Sequence, residues 1–237
     1  MRLSRLSPIA IAAVLPLALA GCSSFASSSA SAGTSGAASS AAGSANPDAG
    51  LLTGSRLKTA LVTTGLPSGY AVNSSATLDS GSSYQSPSAS ATASPKCVNL
   101  EATGWVNLAG YESVSFAQND YVNNGSSEEF AQEVDAYEGS TAQTVMANLA
   151  KLGTTCPSFT DSSTSSTVKV AAATGTSLGD GTVTITLTDS SWSSSETLVA
   201  VRVGQNVISV LNSATGNSAT YANTLASTIT AGVKKLG

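Results

Sequence analysis

Apolar positions recur along residues 50–237 with two different periods, and the switches between them outline the elements of a domain. Leu51, Leu52, Leu57, Ala60 and Leu61 repeat at helical spacing with Arg56 and Lys58 among them, and Gly65-Leu66-Pro67 closes the run as a helix stop. This predicts an amphipathic opening helix. Tyr70, Val72 and Leu78 then read as strand, and Ser80 to Pro95 as a Ser-rich loop carrying Pro87 and Pro95. Cys97, Leu100 and Glu101 fit a short helix before Trp105, which reads as a core residue. Two strand-like runs follow, Glu112 to Val122 and Glu128 to Glu138, and Asn123-Asn124-Gly125 joins them as a hairpin turn of the kind an Asn-Gly pair favours.

Helical spacing returns from Thr141 to Leu152 through Val145, Met146, Leu149 and Leu152. Ser140 or Thr141 is placed to cap this helix and Gly153 to stop it. The last third alternates again: Thr167 to Ala173, Thr182 to Thr188, Leu198 to Val203 and Val207 to Leu211. These four runs read as a meander, with Gly204-Gln205-Asn206 as its clearest turn. A closing helix from about Asn217 to Lys235 carries Tyr221, Leu225, Ile229 and Val233 on one stripe. The expectation is an α+β fold in a single domain, a twisted antiparallel β-sheet flanked by about three helices.

The first 49 residues follow a different pattern. Arg2 and Arg5 precede an apolar run from Pro8 to Leu19, which ends in Leu19-Ala20-Gly21-Cys22. A basic start, a short apolar stretch and small residues before a cysteine make a bacterial lipoprotein signal peptide over residues 1–21, cleaved before Cys22. The run is too short for a bilayer span of about 20 residues, and Pro16 interrupts it. Cys22 is therefore the expected site of lipidation, with diacylglyceryl and palmitate chains holding it to the outer face of the cell membrane. More than one chain on a single cysteine gives stable anchoring where one alone is marginal. Residues 22–49 continue almost entirely as Ser, Ala, Gly and Thr, and Asp48 is their single charge. Such a segment buries too little apolar surface to offset its ordering entropy. As a flexible linker it spans roughly 30 Å.

Charge and residue content narrow the function. The chain has 10 Lys and Arg, 14 Asp and Glu and no His, and only 10% of its residues are charged. Cleavage removes Arg2 and Arg5, which leaves an acidic surface that nucleic acid and anionic headgroups both repel. The lipid on Cys22 is then the membrane contact. Without histidine the Ser-His-Asp and Cys-His arrangements are excluded, as are histidine-ligated metals, and no phosphate-binding glycine loop follows a strand. Ser55-Arg56-Leu57-Lys58 has the spacing of a lysine-activated serine, but its Ser-Asp-Asn and Lys-Thr-Gly companions are missing and serine abounds here. Neither a catalytic residue nor a cofactor or metal ligand set is assigned.

With Cys22 given to lipid, Cys97 and Cys156 remain as a pair in an exported, oxidising setting, where a disulfide is the expected state. Glu128, Glu129, Glu133, Asp135 and Glu138 crowd one strand. Paired carboxylates of this kind serve acid-base chemistry or hold calcium. Alternation instead places Glu129, Glu133 and Asp135 on one face, expected to meet solvent opposite Phe130, Val134 and Ala136. Trp192 lies in a polar loop, Asp189 to Ser195, where an indole either stacks on a ligand or folds back over the core. It is the candidate ligand-binding residue.

The order of elements is informative as a whole: an early helix ending at Leu66-Pro67, Cys97, a strand pair, a helix running into Cys156, then a meander containing Val201-Arg202-Val203-Gly204-Gln205-Asn206-Val207. This order resembles the extracellular sensor-domain family of mycobacterial PknH-type receptor kinases and of many actinobacterial lipoproteins. The resemblance covers most of residues 50–237 and implies a twisted antiparallel sheet, flanking helices and a ligand-binding cleft. The family commonly has two disulfides and a tryptophan shortly before one cysteine, whereas one pair is available here and Gly153-Thr154-Thr155 precedes Cys156. The function expected for residues 50–237 is non-catalytic recognition of a small molecule, wall fragment or envelope protein, as a sensor or accessory module. An envelope enzyme working through carboxylates and a structural or adhesive lipoprotein are the alternatives.

Overall fold

The computed structural model describes residues 50–86, 96–126, 128–213 and 217–237. The leader, Cys22, the linker and most of the 80–95 loop therefore lie outside the described residues. Among the described residues nine strands form one antiparallel sheet: β1 (Tyr70–Val72), β2 (Leu78–Asp79), β3 (Ser115–Asn123), β4 (Glu129–Ala136), β5 (Ser158–Thr160), β6 (Thr167–Gly175), β7 (Thr182–Thr188), β8 (Glu196–Val203) and β9 (Asn206–Asn212). Their order is β1-β3-β4-β9-β8-β7-β6-β5, with β2 also paired to β3. The helices are α1 (Gly54–Leu57), α2 (Thr141–Leu149), α3 (Leu152–Thr155) and α4 (Ser218–Lys234), with 3-10 turns at Lys58–Ala60, Cys97–Glu101 and Trp105–Ala109. The α+β architecture expected from the sequence is present, including the four-stranded meander β6 to β9.

Each sheet face has its own core. On one face Leu100, Trp105, Val106, Val145 and Leu149 pack over Ala131, Leu198, Ala200 and Leu211. On the other, Leu51, Leu52, Leu57 and Leu61 join Leu225, Ala226 and Ile229 of α4 over Phe130, Val134, Val199 and Val210. β8 and β9 are consequently apolar on both sides, as strands covered twice must be. The Tyr121 and Phe130 rings stack with centroids 4.6 Å apart, on facing positions of β3 and β4.

Several local expectations are refined. The opening helix is one α turn and one 3-10 turn, after which the chain bends at Leu61. Ser140 occupies the N-cap of α2 without a side-chain capping bond. Gly153 does not stop that helix, because α2 ends earlier and Gly153 falls inside α3. Its role is contact: a Cβ there would lie 3.0 Å from the Ala172 backbone nitrogen on β6. Cys97 and Cys156 form the disulfide, with Cα atoms 5.6 Å apart. It joins the 97–101 turn to the C-cap of α3.

Candidate functional site

The most unusual chemistry lies on β4. Side chains alternate along a strand, and the same face that carries Ala131 into the first core carries Glu129, Glu133 and Asp135, followed by Tyr137. This corrects the solvent-facing expectation for the three carboxylates. Glu133 is 6% exposed, Asp135 1% and Tyr137 1%, and Glu129 is half-buried. The cause is topological. β4 runs between β3 and β9 near the middle of its half of the sheet, and the turn Trp105–Ala109 covers the face that alternation alone assigns to water.

Burial reshapes the titration of these groups, because a charged carboxylate loses its hydration. Desolvation, then the neighbouring Asp135, holds the Glu133 carboxyl well above the usual carboxylate range. Desolvation pushes Asp135 up to about 7 against a hydrogen bond from Ser113 that favours its charge. The Tyr137 phenol is likewise raised, by burial first and then by Asp135 and Glu133. No lysine or arginine is among the causes acting on any of the three. Glu133 Oε2, Asp135 Oδ2 and Tyr137 Oη are buried without hydrogen-bond partners, and so is Trp105 Nε1 above them.

A second acidic pair sits toward the other end of β4. Glu129 shares a hydrogen bond with Asp120 of β3; burial, the Asp120 charge and Glu196 of β8 push it up to about 8. Asp120 is also raised by burial, opposed by its bonds from Glu129, Asn73 and the Tyr121 backbone. Among the described residues, two cations with close acidic partners stand elsewhere: Lys58 on Asp79 at 3.0 Å and Arg202 on Asp180 at 3.2 Å. Lys58 is thus committed to Asp79 in the Ser55–Lys58 motif.

Between the 3-10 turn and the sheet, Thr103, Gly104, Trp105, Glu133, Ser209 and Leu211 meet along a seam too narrow to admit a water molecule. Gly104 has φ of 76° and brings the turn's backbone down onto β4: a Cβ there would lie 3.8 Å from Glu133 Oε2. Ser209 faces Glu133 across the β4–β9 pairing. Trp192, the candidate from the sequence, is half-buried and packs against the same first core. Among the described residues no group of three acidic, Cys or His side chains is arranged to hold a metal. The burial of these acids escaped sequence reasoning because it depends on the turn that covers them; the acid-rich spelling of β4 was their signal.

In fold, the domain is similar to a known ectodomain. The crystal structure of the extracellular domain of PknH from Mycobacterium tuberculosis matches with a TM-score of 0.52 at 15% identity, covering 78% of this chain and 98% of that one. At that identity the likeness is one of fold. No family model matches the sequence, and neither does any curated protein.

Proposed function

We propose that this chain is a lipoprotein held by lipid on Cys22 to the outer face of the cell membrane. Its domain works there as a non-catalytic sensor or accessory module that binds a small molecule, wall component or partner protein. The observation that carries this reading is the similarity in fold to the PknH extracellular domain. The leader ending in Leu19-Ala20-Gly21-Cys22 supports it, because it reads as an export signal with a lipidation site, and residues 22–49 would serve as a tether of roughly 30 Å. Trp192, half-buried over the first core, is the candidate contact for the ligand.

The cover over the β4 carboxylates argues against acid-base catalysis by them. A catalytic acid must come within hydrogen-bond reach of the proton it moves, and Glu133 and Asp135 are covered by the Trp105 turn. Native mass spectrometry of the protein purified from its own envelope tests the reading. A bound molecule that recurs across preparations is the expected result, and a consistently empty domain overturns it.

A further inference from the structure

We propose that the surface formed by α1, the Lys58–Ala60 turn and the C-terminal end of α4 is a docking face for an anionic phospholipid bilayer, with Arg56, Lys58, Lys234 and Lys235 as its charges. The inference deepens the membrane-anchored reading and rests on it, since the lipid on Cys22 is what brings a bilayer within reach. An even spread of the net negative charge would be repelled by anionic headgroups, but the charge is unevenly spread. Residues 50–78 carry Arg56 and Lys58 and no acid, and residues 197–237 carry Arg202, Lys234 and Lys235 and no acid. The fold lays these two segments together on the second core, where Leu57, Ala60 and Leu61 meet Ile229 and Val233. Their approach is close: a Cβ on Gly232 of α4 would lie 3.1 Å from the Ala60 carbonyl oxygen. Arg56 Nη2 donates to Leu236 O at 2.6 Å, so the guanidinium itself ties α1 to the end of α4.

All four cations are exposed. Asp79 offsets one of them, pairing with Lys58 at 3.0 Å, yet the Lys58 side chain stays 54% exposed. Arg202 is engaged by Asp180 at 3.2 Å and is not part of the face. By contrast, Glu129, Glu133 and Asp135 point to the other side of the sheet, away from α4. In about 0.1 M salt, exposed charges are screened beyond about 10 Å, so a bilayer lying against this face meets the cations and little of those acids. The tether joins at the same end of the domain. A Cβ on Gly50 would lie 3.6 Å from Gln205 Oε1, which places Gly50 beside the turn between β8 and β9. α4 starts at the opposite end of those strands, where Ser218 meets Thr197 and Asn212, and it runs back along both. Lys234 and Lys235 are thereby carried towards the point at which the linker enters. Each cation at an anionic surface strengthens binding about fivefold. Four give a contact that is weak in free solution and that a tether of roughly 30 Å makes intramolecular. A nucleic acid or soluble polyanion would meet the same charges without that advantage.

Amide exchange of the lipidated protein reconstituted in vesicles tests the face, with phosphatidylcholine vesicles compared with vesicles that also contain phosphatidylglycerol. In about 0.1 M salt, exchange across residues 54–61 and 230–237 should slow about threefold or more on the phosphatidylglycerol vesicles, and about 0.5 M salt should abolish the difference. Lys234→Glu combined with Lys235→Glu, both at exposed positions, should remove the slowing. Lys96→Glu combined with Lys151→Glu makes the same charge change at exposed positions on the first-core side and should leave it in place. Equal exchange on the two kinds of vesicle, slowing that survives the Lys234 and Lys235 reversal, or an equal loss from the Lys96 and Lys151 reversal each overturns the proposal. Slowing by DNA or polyglutamate with no difference between the vesicles assigns the face to a soluble polyanion and overturns the bilayer as its partner. If the purified protein carries no lipid on Cys22, the anchoring reading falls. Sedimentation of that protein with phosphatidylglycerol vesicles but not with phosphatidylcholine alone then upholds the face, and failure to sediment with either overturns it.

Discussion

Gln132 grips Val62 by both of its backbone groups: Val62 N–H donates to Gln132 Oε1 at 2.8 Å, and Gln132 Nε2 donates to Val62 O at 2.7 Å. The side chain acts as one rung of a sheet ladder and fastens the Leu51–Val62 segment over the second core. Tyr121 Oη adds a bond to the same Val62 carbonyl at 2.8 Å. Gln132 is fully buried, so Gln132→Leu strips the Val62 N–H of its partner while leaving the carbonyl one. A loss of about 1–3 kcal/mol follows from stranding one such group. Chemical denaturation measures that loss, and amide exchange at Val62 should accelerate more than exchange along α4.

The acids of β4 invert the usual pH dependence of stability. Glu129 rises to about 8 and Asp135 to about 7 in the folded protein, with Glu133 and Asp120 raised as well. The folded state then binds more protons than the unfolded chain between about pH 4 and 8, so stability is fully present below that window and declines as pH rises through it. The groups acting on one another here are Asp120 of β3, Glu129, Glu133, Asp135 and Tyr137 of β4 and its continuation, and Glu196 of β8. The melting temperature at pH 5 should exceed that at pH 8 by on the order of 5 °C. Glu129→Gln should flatten the slope. A melting temperature that rises from pH 5 to 8 contradicts the buried, protonated state.

The architecture was legible because periodicity reports what each element buries. Val183, Ile185 and Leu187 alternate with threonines on β7, and Leu225, Ile229 and Val233 follow one stripe of α4; both elements were predicted close to their observed bounds. The disulfide was legible from cysteine number and setting. Glu133 and Asp135 were misread because alternation separates the two faces of a strand without saying what covers each. The cover comes from Trp105–Ala109, a 3-10 turn too short to have a period of its own. β5 escaped for the same reason, at three residues.

Gly54 marks another feature that composition cannot reveal. A Cβ there would lie 2.6 Å from the Phe116 carbonyl oxygen and 2.7 Å from the Ser80 nitrogen, both backbone atoms that cannot swing aside. Phe116 O also accepts a bond from Ser80 N–H at 3.0 Å. Gly54→Ala should therefore push α1 off β3 and cost about 1–3 kcal/mol, the range for overpacking a closed interior. Ser55→Ala, at an exposed neighbouring position, should stay within about 0.5 kcal/mol. Equal stabilities for the two variants in urea unfolding would refute the close approach.

The Cys97–Cys156 bond spans a sequence separation of 59 residues, so the chain-entropy model assigns it about 4 kcal/mol through restriction of the unfolded ensemble. It also bears on the candidate site. Cys97 opens the turn that leads into Gly104 and Trp105, while Cys156 is anchored beneath α3 against β6. The paired Cys97→Ala and Cys156→Ala variant should lower the unfolding free energy by up to that amount. It should also quicken amide exchange from Val98 to Ala109 beyond what the global loss accounts for, because the turn over Glu133 then has one tether fewer. Non-reducing peptide mapping of the exported protein should recover the two cysteines joined. Two free thiols there would reject the pairing, and uniform exchange changes across the domain would reject its part in holding the turn.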